Sequence, residues 1–279
     1  MDPELANILI PILAILFAFF GLAFGSFSNV LIYRLSNNVP LNFKSRSVCP
    51  NCGTEIKWYD NIPIVSYFVL KGKCRNCQSK ISLQYPIIEF LGLFIFLFCF
   101  FYYGYNVLNS LYPTFSLNYK VFVYPFIMLL LIVIALIDIK TMTIPLSLQI
   151  ALLVLILTCY VTSAILNKDF RVDNLIGLGM AAVIFLSVYF IYYLIKKEEG
   201  IGLGDVILYI QLGLFFGYQN FLLLFLISST GAALVEGIKL LITRKNKPLP
   251  FAPYIAFSAI FVMIFGDYII ASIMSLFNI

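Results

Sequence analysis

VFVYPFIMLLLIVIALIDI, residues 121–139, decides what kind of protein this is. An α-helix needs about 20 consecutive apolar residues to cross ~30 Å of hydrocarbon, and this run carries one charge, Asp138, near its end. Comparable runs lie near residues 5–33, 85–105, 146–166, 175–195, 221–243 and 254–276. An eighth, near 206–217, is shorter and holds Gln211 and Gly213, so it must pack among other helices or merge into a re-entrant hairpin. The whole chain agrees: 62% of its 279 residues are hydrophobic and 11% charged, against roughly a quarter charged in a soluble domain. The expected fold is an all-α polytopic membrane protein of about eight transmembrane helices. Its first run reads as a retained helix. It is too long for the core of a signal peptide, Asp2 and Glu4 stand where a basic segment belongs, and no small-residue cleavage pattern precedes Arg34.

Basic residues orient such a chain, because they stay on the cytoplasmic side. With eight spans and an outside N-terminus, the inside segments hold Arg34, Lys44, Arg46, Lys57, Lys71, Lys73, Arg75, Lys80, Lys140, Lys196, Lys197, Lys239, Arg244, Lys245 and Lys247. The outside segments hold Lys120, Lys168 and Arg171. Topology therefore accounts for the net charge of +5, and nothing calls for nucleic acid. The expectation is a multi-pass protein of the cell's inner or plasma membrane, with the lipid bilayer as its constant partner. It divides into a first helix (1–33), a cytoplasmic loop domain (34–84) and a helical membrane domain (85–279).

The loop domain holds Cys49-Pro-Asn-Cys52 and Cys74-Arg-Asn-Cys77, two CxxC pairs with 21 residues between them. That is close to the spacing at which two knuckles give four thiolates to one tetrahedral Zn2+. Two disulfides and a redox pair are the other readings; a reducing cytoplasm disfavours the first, and no thioredoxin-like unit supports the second. Four Cys ligands leave no position for a catalytic water, so the metal is expected to staple a domain too small for a core of its own. Cys99 and Cys159 lie in apolar spans and read as small core residues.

Acids at membrane depth are functional candidates, since each costs several kcal/mol (roughly 3 on insertion scales). Five qualify: Glu89, Asp138, Asp205, Glu236 and Asp267. Asp138 lies where the third span meets the cytoplasm, and Asp205 ends Gly200-Ile-Gly202-Leu-Gly204-Asp205 just after the fifth, so the topology brings both to one membrane face. The chain has no His, which removes Ser-His-Asp, Cys-His and His-ligated metal hydrolases. Two aspartates need none: close together they share a proton, one activating water while the other hydrogen-bonds the scissile carbonyl. Gly202 and Gly204 would let an extended peptide approach the backbone. The plainer alternative makes Asp138 a helix-end acid beside Lys140 and Asp205 an N-cap. Glu89 is either a site residue or a first-turn acid favoured by the helix dipole. Glu236 either faces the active cavity or pairs with Lys239, and Asp267 reads as structural.

Taken together, the residues resemble the type IV prepilin peptidases, aspartic membrane proteases of the GxGD kind. The resemblance runs through Gly25-Ser-Phe-Ser-Asn-Val30 with Tyr33-Arg34, Ser45-Arg-Ser-Val-Cys-Pro50, Trp58-Tyr-Asp-Asn-Ile-Pro63, Gly72-Lys-Cys-Arg75, Tyr85-Pro86 with Glu89, the two aspartate motifs, and Pro250-Phe-Ala-Pro253. It implies Asp138 and Asp205 as the catalytic pair, cutting type IV prepilins or pseudopilins after the Gly that ends a basic leader. It also implies methylation of the new N-terminus from S-adenosylmethionine; no glycine-rich strand-to-helix turn in this sequence shows a cradle for that cofactor. Many members carry Lys two residues after the second aspartate and an acid or Asn after the proline, where this chain has Ile207 and Leu146. The rival readings are a peptidase without methylation, and a zinc-stapled scaffold or transporter subunit whose acids hold ions. Preflagellin-type relatives, which do not methylate, lack the cysteine loop.

Overall fold

The computed structural model describes residues 3–41, 47–104, 118–167, 172–198, 200, 202–243 and 249–277. Lys44, Arg46, Lys168, Arg171, Arg244, Lys245 and Lys247, counted above for orientation, lie outside the described residues, as do Ser45 and Ile201. The chain folds as α1 (Pro3–Ser36), α2 (Val65–Val69), α3 (Gln84–Gly104), α4 (Tyr119–Thr141), α5 (Leu146–Asn167), α6 (Val172–Lys196), α7 (Leu203–Thr243) and α8 (Ala252–Phe277), with a 3-10 turn at Trp58–Asp60. All but α2 and the turn are long and apolar enough to cross a membrane, seven helices among the described residues. Two compact units result, Met1–Leu129 and Leu130–Ile279.

In the first unit α1 and α3 cross at small residues. A Cβ on Gly21 would stand 2.6 Å from the Gly92 carbonyl oxygen and one on Gly25 2.9 Å from Glu89 Cα, so only glycine lets the two backbones meet. Phenylalanines fill the space above the crossing: Phe17 packs on Phe100 at 4.9 Å and Phe122 at 5.7 Å, and Phe24 on Phe126 at 4.7 Å. Cys99 is fully buried with its Sγ 3.8 Å from Met128 Sδ, the small-core role expected of it. α1 ends in a left-handed residue, Asn38 (φ 55°), with the Val39 N–H on the Arg34 carbonyl at 2.8 Å, a stop that needs Gly or Asn.

In the second unit α7 replaces two of the expected spans. Gly217 sits inside it at φ 73°, ψ 173°, a backbone region open essentially to glycine alone. The element folds back there: the Tyr209 hydroxyl meets Ser228 Oγ at 2.7 Å, although 19 residues of straight helix would separate them by ~28 Å. The weak eighth run is thus the first arm of a helical hairpin, residues 203–216. α6 holds this arm. Asn174 donates its side-chain N–H to the Leu214 and Phe215 carbonyls at 2.7 and 3.0 Å, and a Cβ on Gly213 would lie 2.6 Å from the Gly177 oxygen. The Phe185 and Tyr209 rings stack at 4.0 Å.

Candidate active site and metal cluster

Asp138 stands in the last turn of α4, which stops when Met142 turns left-handed (φ 54°) and its N–H closes on the Asp138 carbonyl at 2.8 Å, before Pro145 opens α5. A carboxylate at a helix C-terminus faces the unfavourable end of its own dipole. The fold answers with the favourable end of another helix: the N–H of Ala252, first residue of α8, donates to Asp138 Oδ2 at 3.1 Å. The Phe251 ring, 6.2 Å from Tyr209, fixes that N-terminus against the first arm of α7. Asp138 is buried, 5% exposed.

Asp205 is the third residue of α7, and its own N–H caps back to the Gly202 carbonyl at 3.0 Å. Gly202, not Asp205, occupies the N-cap. Gln149 of α5 donates to the Gly204 carbonyl at 2.7 Å, and Gln211 donates to the Gln149 carbonyl at 3.2 Å. These bonds tie the glycine motif to the segment that follows Asp138. Asp205 Oδ1 is buried with no hydrogen-bond partner among the described residues. The glycines divide in role: Gly202 is exposed, with Asp205 Oδ2 beside it, while a Cβ on Gly204 would meet Ile144 Cβ at 3.1 Å. The second glycine serves packing, the first leaves open space.

Glu236 accepts from Lys239 Nζ at 3.2 Å and from the Tyr254 hydroxyl at 3.3 Å, the pairing reading. Asp267 accepts from Asn220 at 2.9 Å. Glu89 lies in the second turn of α3, past the reach of the dipole argument, and its Oε2 accepts the Ile64 N–H at 2.6 Å. Ile64 has φ 63°, ψ −52°, with the Val65 N–H on the Pro63 carbonyl at 2.6 Å. This is a γ-turn of the strained, positive-φ kind, centred on a β-branched residue and held by a buried acid.

The four cysteines converge. Their Sγ atoms lie within 4.8 Å of one another, Cys49 to Cys77 at 3.9 Å, where a tetrahedral ion with ~2.3 Å bonds needs about 3.8 Å. The knuckles repeat one another: Cys49 N–H bonds the Thr54 carbonyl and Cys74 N–H that of Ser79, both at 2.9 Å, each loop turning on a left-handed residue, Gly53 or Gln78. Asn51 reaches across to Cys77 Sγ at 3.6 Å and Asn76 to Cys52 Sγ at 3.8 Å. Hydrogen bonds from the Ser79 hydroxyl and backbone pull the Cys77 thiol down from its usual value, toward the thiolate that a metal takes up. The set fits one divalent ion.

Ala252, Gln149 and the Ile64 turn went unassigned from sequence. Pro250–Pro253 was visible as a motif, but a backbone N–H aimed at a distant carboxylate leaves no trace in residue type. Gln149, a polar residue in an apolar run, was the one available signal.

Two family descriptions match the chain: Bacterial Peptidase A24 N-terminal domain over residues 19–103, and Type IV leader peptidase family over residues 125–236. The chain is 35% identical over 268 residues to a Vibrio cholerae protein named prepilin leader peptidase/N-methyltransferase, covering 90% of this chain and 95% of that one. Proteins of the same name from Legionella pneumophila (28% over 277 residues, 90% and 91%) and Pseudomonas aeruginosa (28% over 273 residues, 89% of each) are also similar. No solved structure matches.

Proposed function

The chain belongs to the type IV leader peptidase family, and from that premise we propose that Asp138 and Asp205 hydrolyse the bond joining a basic leader to a type IV prepilin or pseudopilin. The carrying observation is the burial of Asp138 beside a helix N-terminus while Asp205 keeps an unpartnered oxygen. The pair holds one proton. The ionised carboxylate takes a proton from water as the oxygen attacks the scissile carbonyl; the protonated one hydrogen-bonds that carbonyl; the proton gained then passes to the leaving amine as the C–N bond breaks. Asp138 is the anchored member, and Asp205, with Oδ1 unclaimed, is the one free to engage substrate. Gly202 offers the open backbone along which an extended peptide runs.

Asp138→Asn and Asp205→Asn test this. Each is expected to abolish leader removal from a co-expressed prepilin, a loss of at least ~10³-fold, while the protein still accumulates in the membrane. Full processing by either variant overturns the assignment and favours the scaffold or transporter reading.

We further assign Zn2+ to Cys49, Cys52, Cys74 and Cys77, where it would fasten the two knuckles without an open coordination position. The relatives' names support N-methylation of the new N-terminus, and S-adenosylmethionine would supply an electrophilic methyl group. The groove of about 400 Å³ on α3 is walled by Phe94, Leu97, Phe98, Phe101 and Tyr102, which do not fit a charged, hydroxylated cofactor. Mass spectrometry of the processed substrate decides: a shift of ~14 Da per methyl marks the second activity. The charge asymmetry supports an outside N-terminus, a cytoplasmic zinc loop and residence in the inner membrane.

A further inference from the structure

The cysteine loop keeps a set of large apolar side chains in the open. α2 places Val65, Phe68 and Val69 at i, i+3 and i+4, one face of the helix, and they are 53%, 70% and 67% exposed. The opposite side is the inward one: Ser66 is buried and donates its hydroxyl to the Tyr59 carbonyl at 3.1 Å, tying α2 to the 3-10 turn. On that turn Trp58 is 80% exposed. Exposed apolar groups scattered singly mean little; a helical face of three with an adjoining indole is a patch with an occupant.

Its level says which occupant. Ile64, next to α2, is bonded through its N–H to Glu89, the sixth residue of α3, so it lies ~8 Å along the axis from the start of that helix. α3 has 21 residues, about 31 Å, just enough to cross the hydrocarbon. The Ile64 backbone therefore stands at the depth of the first turns of a transmembrane helix. Charge agrees with depth. Residues 56–73 hold exposed Lys57, Lys71 and Lys73 and one acid, Asp60, which Arg75 neutralises at 2.6 Å.

We propose that the Trp58–Val69 segment is an interfacial anchor: Trp58, Val65, Phe68 and Val69 lie in the boundary between headgroups and acyl chains, and Lys57, Lys71 and Lys73 meet the phosphates of anionic lipids. The strained turn at Ile64, held by Glu89, sets the depth at which α2 leaves the helices. The proposal rests on the membrane fold and stands independently of the protease chemistry.

Trp58 is the single tryptophan of the chain, so its fluorescence reports the patch without a label. The full-length protein is reconstituted in phosphatidylcholine and phosphatidylglycerol vesicles whose acyl chains are brominated near the headgroup or near the bilayer centre. Shallow bromine is expected to quench the emission at least about twofold, and deep bromine less, as for an indole in the aromatic belt. Phe68→Ser with Val69→Ser is expected to weaken the shallow quenching; the wild-type measurement stands even if that variant fails to fold. Emission equal in brominated and plain vesicles overturns the proposal, as does quenching that the folded double variant leaves intact. Trp58 open to aqueous iodide in vesicles, and shielded only when prepilin or a second copy of the chain is added, also overturns it and makes the patch a protein-docking face.

Discussion

Asp138 owes its place to two helices of opposite sense, the end of α4 and the start of α8. A hydrogen bond to a charged group is worth about 1.5–3 kcal/mol, so removing the Ala252 N–H without changing shape is expected to slow leader removal by at least ~10-fold. Incorporation of lactic acid at position 252, which replaces the amide by an ester, is the means, and single-turnover kinetics the readout; an unchanged rate makes the contact structural only. The aspartates themselves were legible in the sequence because charge inside an apolar run is conspicuous, and the absence of His left them few rivals. Ala252 was not, because its contribution is a backbone N–H that any residue but proline carries. Glu89 fell between: its burial was foreseeable, its partner Ile64 was not, since the bond depends on a turn 25 residues away.

Elements were legible to the extent that hydrophobicity alone makes them. Seven long helices follow from composition; the division of α7 follows from one dihedral pair at Gly217. Alanine there keeps the apolar pattern yet must occupy φ 73°, so Gly217→Ala is expected to cost ~1–3 kcal/mol, measured by denaturant unfolding in detergent, with leader removal falling as the first arm loosens. The knuckles were legible from CxxC spacing, and their close fit predicts one zinc per chain by metal analysis, lost in Cys77→Ser. Their neighbour, the Asp60–Arg75 pair, was not foreseen. Bonds at 2.6 and 2.8 Å from Arg75 hold the Asp60 carboxyl below its usual range. A depressed acid stabilises the fold above its unfolded value of ~3.9 and loses that contribution as pH falls through its folded value. The turn is therefore expected to stay locked down through the ordinary carboxylate value of ~3.9 and to open only as pH falls further, through the depressed value of Asp60, seen as a fall in Trp58 anisotropy in detergent; Asp60→Asn should show the open state at neutral pH.

At the scale of the whole molecule, counting the two arms of α7 separately restores an even number of crossings, so reporter fusions at the two termini are expected to report the same side and an insertion in the cysteine loop the other. The charge distribution along the chain requires the same parity, and it depends on an arm too short to look like a span. Residues 203–216 extend only ~21 Å, and polar groups mark both ends: Asp205 at one, Asn174 and the Asn220–Asp267 pair at the other. Hydrocarbon of ordinary depth overshoots that distance by about 9 Å. Longer neighbours cover the shortfall: Val206, Leu208, Tyr209, Leu212 and Leu214 of this arm are buried in the protein, so the arm that carries Asp205 meets side chains where a full-length span would meet lipid. Leader removal in reconstituted vesicles is therefore expected to stay within about twofold as acyl chains are cut from 18 to about 14 carbons, because the short arm is insulated from membrane thickness by the helices around it.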